Sequence, residues 1–437
     1  MPPTKQLARE VFLRTLRSID IPAMMAQKIQ IGGRQVILLD RRVELPEAPR
    51  IVVIAIGKAA LAMASGLVPL LPFGTTVRGV VSAPSAPETQ VPGLEYFMGG
   101  HPIPNVDSWR SAEAILQLLT ICDERSVVFF LLSGGGSALV ERPLDPNMTL
   151  EDVQRVNHAL VTCGAPIHDM NTVRRHFSAI KGGRLALAAG PATRITIAVT
   201  DVPAGNEAAL ASGPTVPDPT TVDDVERILG DFGLRERLPA SARRWLDAGL
   251  MPETPKPDHP AFVNAHFSLL LGMDDLFHAA HHSLEAHGYA CCCDNTTDDW
   301  PVERASEYLL AQLEIWQREN PRQPVAVIAD GEVSSPVTGN GIGGRNSAFV
   351  LSCVEKIAGR SVVVLSAGTD GIDGNSSAAG AVADGATLDR ARLLGLDPAA
   401  AFRQSDAHSF FSRLEDAIVT GPTGNNLRDL RILMAGP

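Results

Sequence analysis

A chain of 437 residues is long for a single hydrophobic core, so two domains are expected, and a content of 45% hydrophobic and 20% charged residues is that of a globular protein. The formal net charge of -11 excludes a broad nucleic-acid-binding surface, because neutralising phosphates takes a basic patch; small anions held by local basic clusters remain allowed. No apolar run approaches membrane-spanning length, and six cysteines without paired spacing fit a reducing compartment, so a cytoplasmic protein with no membrane partner is expected.

Leu7, Val11, Phe12 and Leu16 recur at helical spacing and predict an opening helix over 4–18. Residues 29–39 alternate around Gly32-Gly33, a hairpin signal. The run 51–56 is apolar on both faces, as in a buried parallel strand, and ends in Gly57-Lys58 before an alanine-rich helix over 59–67. The same module returns. Residues 127–132 lead into Ser133-Gly134-Gly135-Gly136-Ser137, 195–199 into Thr200-Asp201, 325–329 into Asp330-Gly331-Glu332, and 362–365 into a loop ending in Asp370. Strands alternating with helices predict an α/β fold, and in open sheets of that class ligands bind beyond the carboxyl ends of the strands, where these polar residues fall. Prolines crowd 234–259 and place the domain boundary there. Beyond it, 269–287 reads as a helix stopped by Gly288, followed by a strand carrying Cys291-Cys292-Cys293 as buried thiols. His278 and His282 share a helix face, yet no third ligand has a suitable spacing for a metal.

The chemistry concentrates in a few stretches. Gly134, Gly135 and Gly136 between Ser133 and Ser137 leave backbone N–H groups open to converge on a phosphate or carboxylate; a tight turn is the alternative reading. Lys58 stands where a strand hands over to a helix and suits a phosphate; a solvated surface lysine is the alternative reading. A helix expected over 171–187 places Arg174, Lys181 and Arg184 within about 80° of arc, as the rim of a cleft, and turns Arg175 toward solvent. Asp201 and Asp370 each follow a strand and offer a carboxylate to Mg²⁺ or to a hydroxyl proton, although aspartates at strand ends also cap helices and form turns. The formal G-x-G-x-x-G at 339–344 lacks a strand running into its first glycine and reads as an anion-binding loop presenting Arg345.

Gly57-Lys58-Ala59, Gly100-His101-Pro102-Ile103-Pro104, the glycine stretch at 133–139, Ser178-Ala179-Ile180-Lys181-Gly182-Gly183-Arg184, Asp201-Val202-Pro203, Ala211-Ser212-Gly213-Pro214-Thr215, Gly343-Gly344-Arg345-Asn346, the stretch 366–374 and Thr420-Gly421-Pro422-Thr423-Gly424 run in one order over nearly the whole chain. Together they resemble the D-glycerate 2-kinase family, whose C-terminal half is called the MOFRL domain. The resemblance implies two α/β domains, each a largely parallel sheet flanked by helices, with the active site in the cleft between them. It implies a Rossmann-like kinase domain over 1–238, a Pro-rich linker over 239–260 and a MOFRL-type domain over 261–437. It also implies ATP-dependent phosphorylation of glycerate at its 2-hydroxyl, with Mg²⁺ or another divalent cation. Lys58, Arg345, Asp201 and Asp370 would then be catalytic. His101, Ser133, the three glycines, Ser137, Arg174, Lys181 and Asn346 would bind substrate or phosphate, and Asp201, Asp370 and Asp373 would be the metal ligands.

Four positions depart from the family pattern: Asn206, Ser347, Ser377 and Asn425. They bear on metal ligation and on which hydroxy acid is used. Members of the family are also labelled hydroxypyruvate reductases, so an NAD(P)H-dependent reductase is the rival reading, and a non-catalytic binder of small anions is a third.

Overall fold

The apolar runs read as buried strands are strands. The computed structural model describes every residue except 1, 2, 40, 201, 203, 204 and 426, and it divides into two units. One, the inserted unit, is residues 21–271; the other, the flanking unit, joins residues 1–20 to 272–437.

The inserted unit opens with a small antiparallel sheet of β1 (Ile29–Gly32), β2 (Gln35–Leu38) and β3 (Arg41–Glu44). Its main sheet has β4 (Arg50–Ile56), β5 (Val77–Ala83), β6 (Leu94–Met98), β7 (Ser126–Ser133), β8 (Thr193–Val199) and β9 (Ala265–Leu271) in the order β6-β5-β4-β7-β8-β9, every pair parallel. Phe129 and Phe130 point to opposite faces of β7 and both are fully buried, each contributing about 1.5–3 kcal/mol of hydrophobic stabilisation. The chain builds outward from β4 to β6, then returns to the far side of β4 with β7. That reversal puts the topological switch point between β4 and β7, where a crevice opens beyond their carboxyl ends.

The proline-rich stretch 239–260 is part of this unit. It carries the helix Ala240–Asp247, the N–H of Asp218 donates to the Pro255 carbonyl at 3.1 Å, and Arg184 reaches the Glu253 carbonyl at 3.4 Å. The units therefore divide between Leu271 and Gly272, later than the expected boundary. Residues 269–271, expected to start a helix, complete β9 instead, and the helix is Met273–Glu285.

In the flanking unit the expected opening helix forms as Lys5–Ser18, capped by Thr4, whose Oγ1 accepts the Leu7 N–H. Its sheet has β10 (Ala290–Cys293), β11 (Val325–Asp330), β12 (Val362–Gly368), β13 (Gly380–Asp384), β14 (Ala417–Ile418) and β15 (Asp429–Ala435), ordered β10-β11-β15-β12-β13-β14. Only β10 and β11 pair in parallel. The sheet is mixed where a largely parallel one was expected, for two reasons. The late strand β15 enters antiparallel between β11 and β12, and the connection from β12 to β13 carries no helix to cross over the sheet. The cysteine trio lies on the edge strand β10, where Cys293 is exposed rather than buried.

Candidate active site

At the switch point two turns interlock. β4 runs into Gly57-Lys58-Ala59 and β7 into Ser133-Gly134-Gly135. The Lys58 N–H donates to the Gly134 carbonyl at 2.9 Å, and Ser133 Oγ accepts the Ala59 N–H at 2.9 Å. Gly57 adopts φ +130°, and a Cβ there would lie 2.2 Å from Ser133 Oγ, so only glycine permits the approach. Ser133 is fully buried, and its hydroxyl holds the two turns together.

Gly135, at φ +83°, begins the short helix Gly136–Leu139. A Cβ on Gly135 would lie 3.1 Å from His101 Cδ2 and 3.3 Å from Lys58 Cγ, which shows how closely three separate segments meet. The Lys58 ammonium forms no hydrogen bond or salt bridge with any described residue. Although part of its ring reaches solvent, His101 is pushed below its ordinary pKa, first by desolvation and then by the Lys58 charge. A lysine ammonium beside an imidazole whose pKa is lowered, with glycine N–H groups alongside, is a site short of negative charge.

Behind the glycines runs a polar relay. Ser137 Oγ lies 2.8 Å from Ser212 Oγ, Ser212 donates to Asn171 Oδ1 at 3.3 Å, and Arg174 donates to the same oxygen at 3.2 Å and to Asn157 Oδ1 at 3.2 Å. Asn171 and Ser212 were not singled out from sequence. Ser212 did lie within the stretch 211–215 that carries the resemblance, and Ala211 and Ser212 sit at φ +49° and +59°, a strained conformation for non-glycine residues.

The expected helix over 171–187 does not exist as one element. It ends at Phe177, and Gly182 and Gly183, at φ +57° and +81°, turn the chain before a second helix, Arg184–Ala188. The projected arc of basic residues is thereby lost. Lys181 is 1% exposed and ion-paired with buried Glu141, which also accepts from Ser178 Oγ at 2.6 Å, so it is an interior charge and not a rim residue. Arg184 is buried against the carbonyls of Ser178, Pro252 and Glu253, with burial lowering its pKa to about 10. Arg175, expected in solvent, is buried beside Asp218 at 3.4 Å. Of the basic set, only Arg174 joins the polar relay. Asp201 lies outside the described residues.

In the flanking unit a cavity of about 750 Å³ is lined by Glu332, Arg345, Asp370, Asp373 and Asn375, among others. Arg345 starts the helix Arg345–Cys353. Its guanidinium meets Asp429 through Nε at 2.5 Å and Nη2 at 3.3 Å, and Glu332 through Nη1 at 2.7 Å. Burial opposes the charge, yet Asp429 and then Glu332 hold its pKa above the ordinary value. Arg345 is thus a cation paired on two sides, with three of its five N–H groups taken, where an unpaired clamp was expected. Asp373 is 2% exposed and caps that helix: its oxygens accept the N–H groups of Asn346 at 2.9 Å and Ser347 at 2.8 Å and the Ser347 hydroxyl at 2.6 Å. Both oxygens are committed there, so Asp373 does not fit the metal role. Asn346 is also interior, its Oδ1 accepting from Ser366 Oγ at 2.6 Å. Asp370 borders the cavity and forms a turn, accepting the Ile372 N–H at 3.0 Å. A Cβ on Gly368 would lie 3.0 Å from Asp370 Oδ1 and 3.3 Å from Asp429 Oδ1, so both carboxylates border that glycine. Among the described residues no three His, Cys, Asp or Glu side chains are arranged to hold a metal by themselves, and no helix is long and apolar enough to cross a membrane.

Comparison with known proteins bears on this geometry. Residues 7–247 match the family model described as Domain of unknown function (DUF4147), and residues 325–429 match the MOFRL family. The chain is 34% identical to a D-glycerate 2-kinase of Thermotoga maritima, over 88% of this chain and 90% of that protein. It is 37% identical to a protein of Agrobacterium vitis provisionally named a hydroxypyruvate reductase, over 90% and 89% of the two. A crystal structure of glycerate kinase from Thermotoga maritima superimposes with a TM-score of 0.85 at 30% identity, covering 99% of both chains.

Proposed function

The chain belongs to the glycerate kinase family that joins a DUF4147 domain to a MOFRL domain, and from that premise we propose that it transfers the γ-phosphoryl group of ATP to the 2-hydroxyl of D-glycerate. The hydroxyl oxygen forms a bond to phosphorus, the bond from phosphorus to the bridging oxygen breaks, and 2-phosphoglycerate, ADP and a proton are released. The observation that carries this reading is the unpartnered Lys58 ammonium beside the Gly134–Gly136 turn at the switch point of a parallel sheet. Phosphoryl transfer depends on positioning and on neutralising charge spread over the transferring oxygens, and these groups supply both. The His101 imidazole adds a hydrogen-bonding group, and Ser137, supported through Ser212 and Asn171, adds a hydroxyl.

A divalent cation, Mg²⁺ by expectation, is part of the proposal. With no three-carboxylate cage among the described residues, the donors fit an ion that keeps nucleotide oxygens and water and takes one or two protein carboxylates. Asp370, which borders the cavity, is the candidate that would hold it, and the ion would neutralise phosphate charge.

The reductase reading has less support. The strand order of the inserted sheet would suit a dinucleotide, but its first turn is Gly57-Lys58-Ala59, and the formal glycine fingerprint precedes a helix whose N-terminus already holds the Asp373 carboxylate. Incubation with ATP, Mg²⁺ and D-glycerate, coupled through enolase without phosphoglycerate mutase, should give an immediate signal. Oxidation of NAD(P)H by hydroxypyruvate in the absence of ATP would overturn the kinase reading, and formation of 3-phosphoglycerate would overturn the regiochemistry.

A further inference from the structure

A second cavity, of about 640 Å³, opens at the amino ends of the inserted unit's strands. Arg50 and Ser126 are the first residues of β4 and β7, and Arg78 is the second of β5. Lys58 and Gly135 follow the opposite ends of β4 and β7. Seven residues at about 3.3 Å each separate the two ends of β4 by about 20 Å, so this cavity is distinct from the candidate active site.

Its floor is apolar: Leu45, Val52 and Leu71 are buried there. Its rim is basic. The small hairpin sheet brings Arg34 to the mouth, where the Leu45 N–H donates to the Arg34 carbonyl at 2.8 Å and fixes the loop. Arg50, also in the lining, is ion-paired with Asp123, while Arg34 and Arg78 form no salt bridge with any described residue. Among the described residues no aspartate or glutamate lines the cavity, in a chain where acidic residues outnumber lysine and arginine 49 to 38. A volume of this size, apolar below and cationic above, matches the usual build of a small-molecule site, with walls for an apolar body and a few charged groups that fix its polar end. Arginine favours planar or tetrahedral oxyanions over other heads.

We propose that this cavity binds an amphiphilic organic anion, with its apolar body on Leu45, Val52 and Leu71 and its carboxylate, sulfonate or phosphate head between Arg34 and Arg78. The site is separate from the one that carries catalysis.

The probe is 8-anilinonaphthalene-1-sulfonate, which joins an apolar body to one anionic head and brightens when its rings leave water. Titration of the full chain should saturate with one high-affinity site. The double variant Arg34→Ala/Arg78→Ala should weaken that site about tenfold or more while leaving glycerate kinase turnover unchanged, which verifies its fold. Octanoate should displace the probe, octylamine should not, and saturating ATP with D-glycerate should leave it bound. Lys58→Ala should bind it as the parent protein does. Unchanged affinity in the double variant, equal displacement by octylamine, or displacement by ATP would each overturn the proposal.

Discussion

The two units handle a strand-end cation in opposite ways. In the inserted unit Lys58 has no partner among the described residues, and the neighbouring imidazole of His101 is discouraged from taking a proton. In the flanking unit Arg345 is gripped by two carboxylates, and the helix it starts is closed by a third. An ion already paired offers little to an incoming phosphate, because binding would first break charge-assisted hydrogen bonds worth more than neutral ones. An unpaired one near a desolvated turn has its field available. The difference teaches that the number of positive residues near a loop says less than their unspent charge, and it sorts the basic residues into those that serve ligand and those that serve fold.

The largest effect expected from that sorting belongs to Lys181. Lys181→Ala should strand the buried Glu141 charge and lower stability by about 3–5 kcal/mol in denaturant titration, whereas Lys181→Met combined with Glu141→Gln should recover most of it. A small loss in the single variant would return Lys181 to the substrate-binding group. Next comes Lys58→Ala, expected to keep its melting temperature and to lose about 3 kcal/mol of transition-state stabilisation, roughly a hundredfold in kcat. Lys58→Arg should rescue poorly, since a planar guanidinium cannot replace a compact ammonium in so close a turn. Near-normal turnover of Lys58→Ala would remove the unpaired cation from catalysis.

Arg345→Lys distinguishes the two kinds of cation directly. It keeps the charge but loses the fork on Asp429, so stability should fall by about 2 kcal/mol. A large fall in kcat with stability intact would instead make Arg345 a ligand clamp. Ser133→Ala removes the acceptor for the Ala59 N–H and should cost about 1 kcal/mol of stability, with kcat reduced because the Lys58 turn loses its anchor. The smallest effect concerns His101. Removing the Lys58 charge removes one of the two causes holding its pKa below 6.5, so in Lys58→Ala the imidazole pKa should rise, as followed by NMR, and anion binding to the parent protein should raise it too. A pKa unmoved by either change would mean that Lys58 and His101 do not share a site.

Much of this was legible in the chain because it is local. Two-sided apolar runs such as 51–56 and 127–132 can only be buried strands, and the residues directly after them, Lys58 and Gly134 to Gly136, inherit a position at strand ends. What depends on distant partners was not legible. Helical spacing carried through Gly182-Gly183 gave Lys181 a surface it does not have, because a wheel assigns direction and not depth. Arg345 looked free because its partner Asp429 arrives only when β15 threads between β11 and β12, an order of strands that no local pattern encodes. Ser212 reaches Ser137, and Asn171 reaches Ser212, from remote segments in the same way.

The place of β15 has a further consequence, for the order of events during synthesis. Residues 429–435 fill the middle of the flanking sheet, and the helix of residues 5–18 belongs to the same unit. The ribosome therefore releases the whole inserted unit, residues 21–271, while the flanking sheet still lacks its central strand. Strands β11 and β12 must wait with pairing edges uncovered, the condition in which aggregation competes best with folding. Closing contacts across more than 400 residues is slow, whereas the inserted unit's parallel strands all come from one continuous segment. Nascent chains stalled after residue 300 and after residue 425 should both show a protease-resistant core of residues 21–271, and only chains extended past β15 should protect the flanking unit.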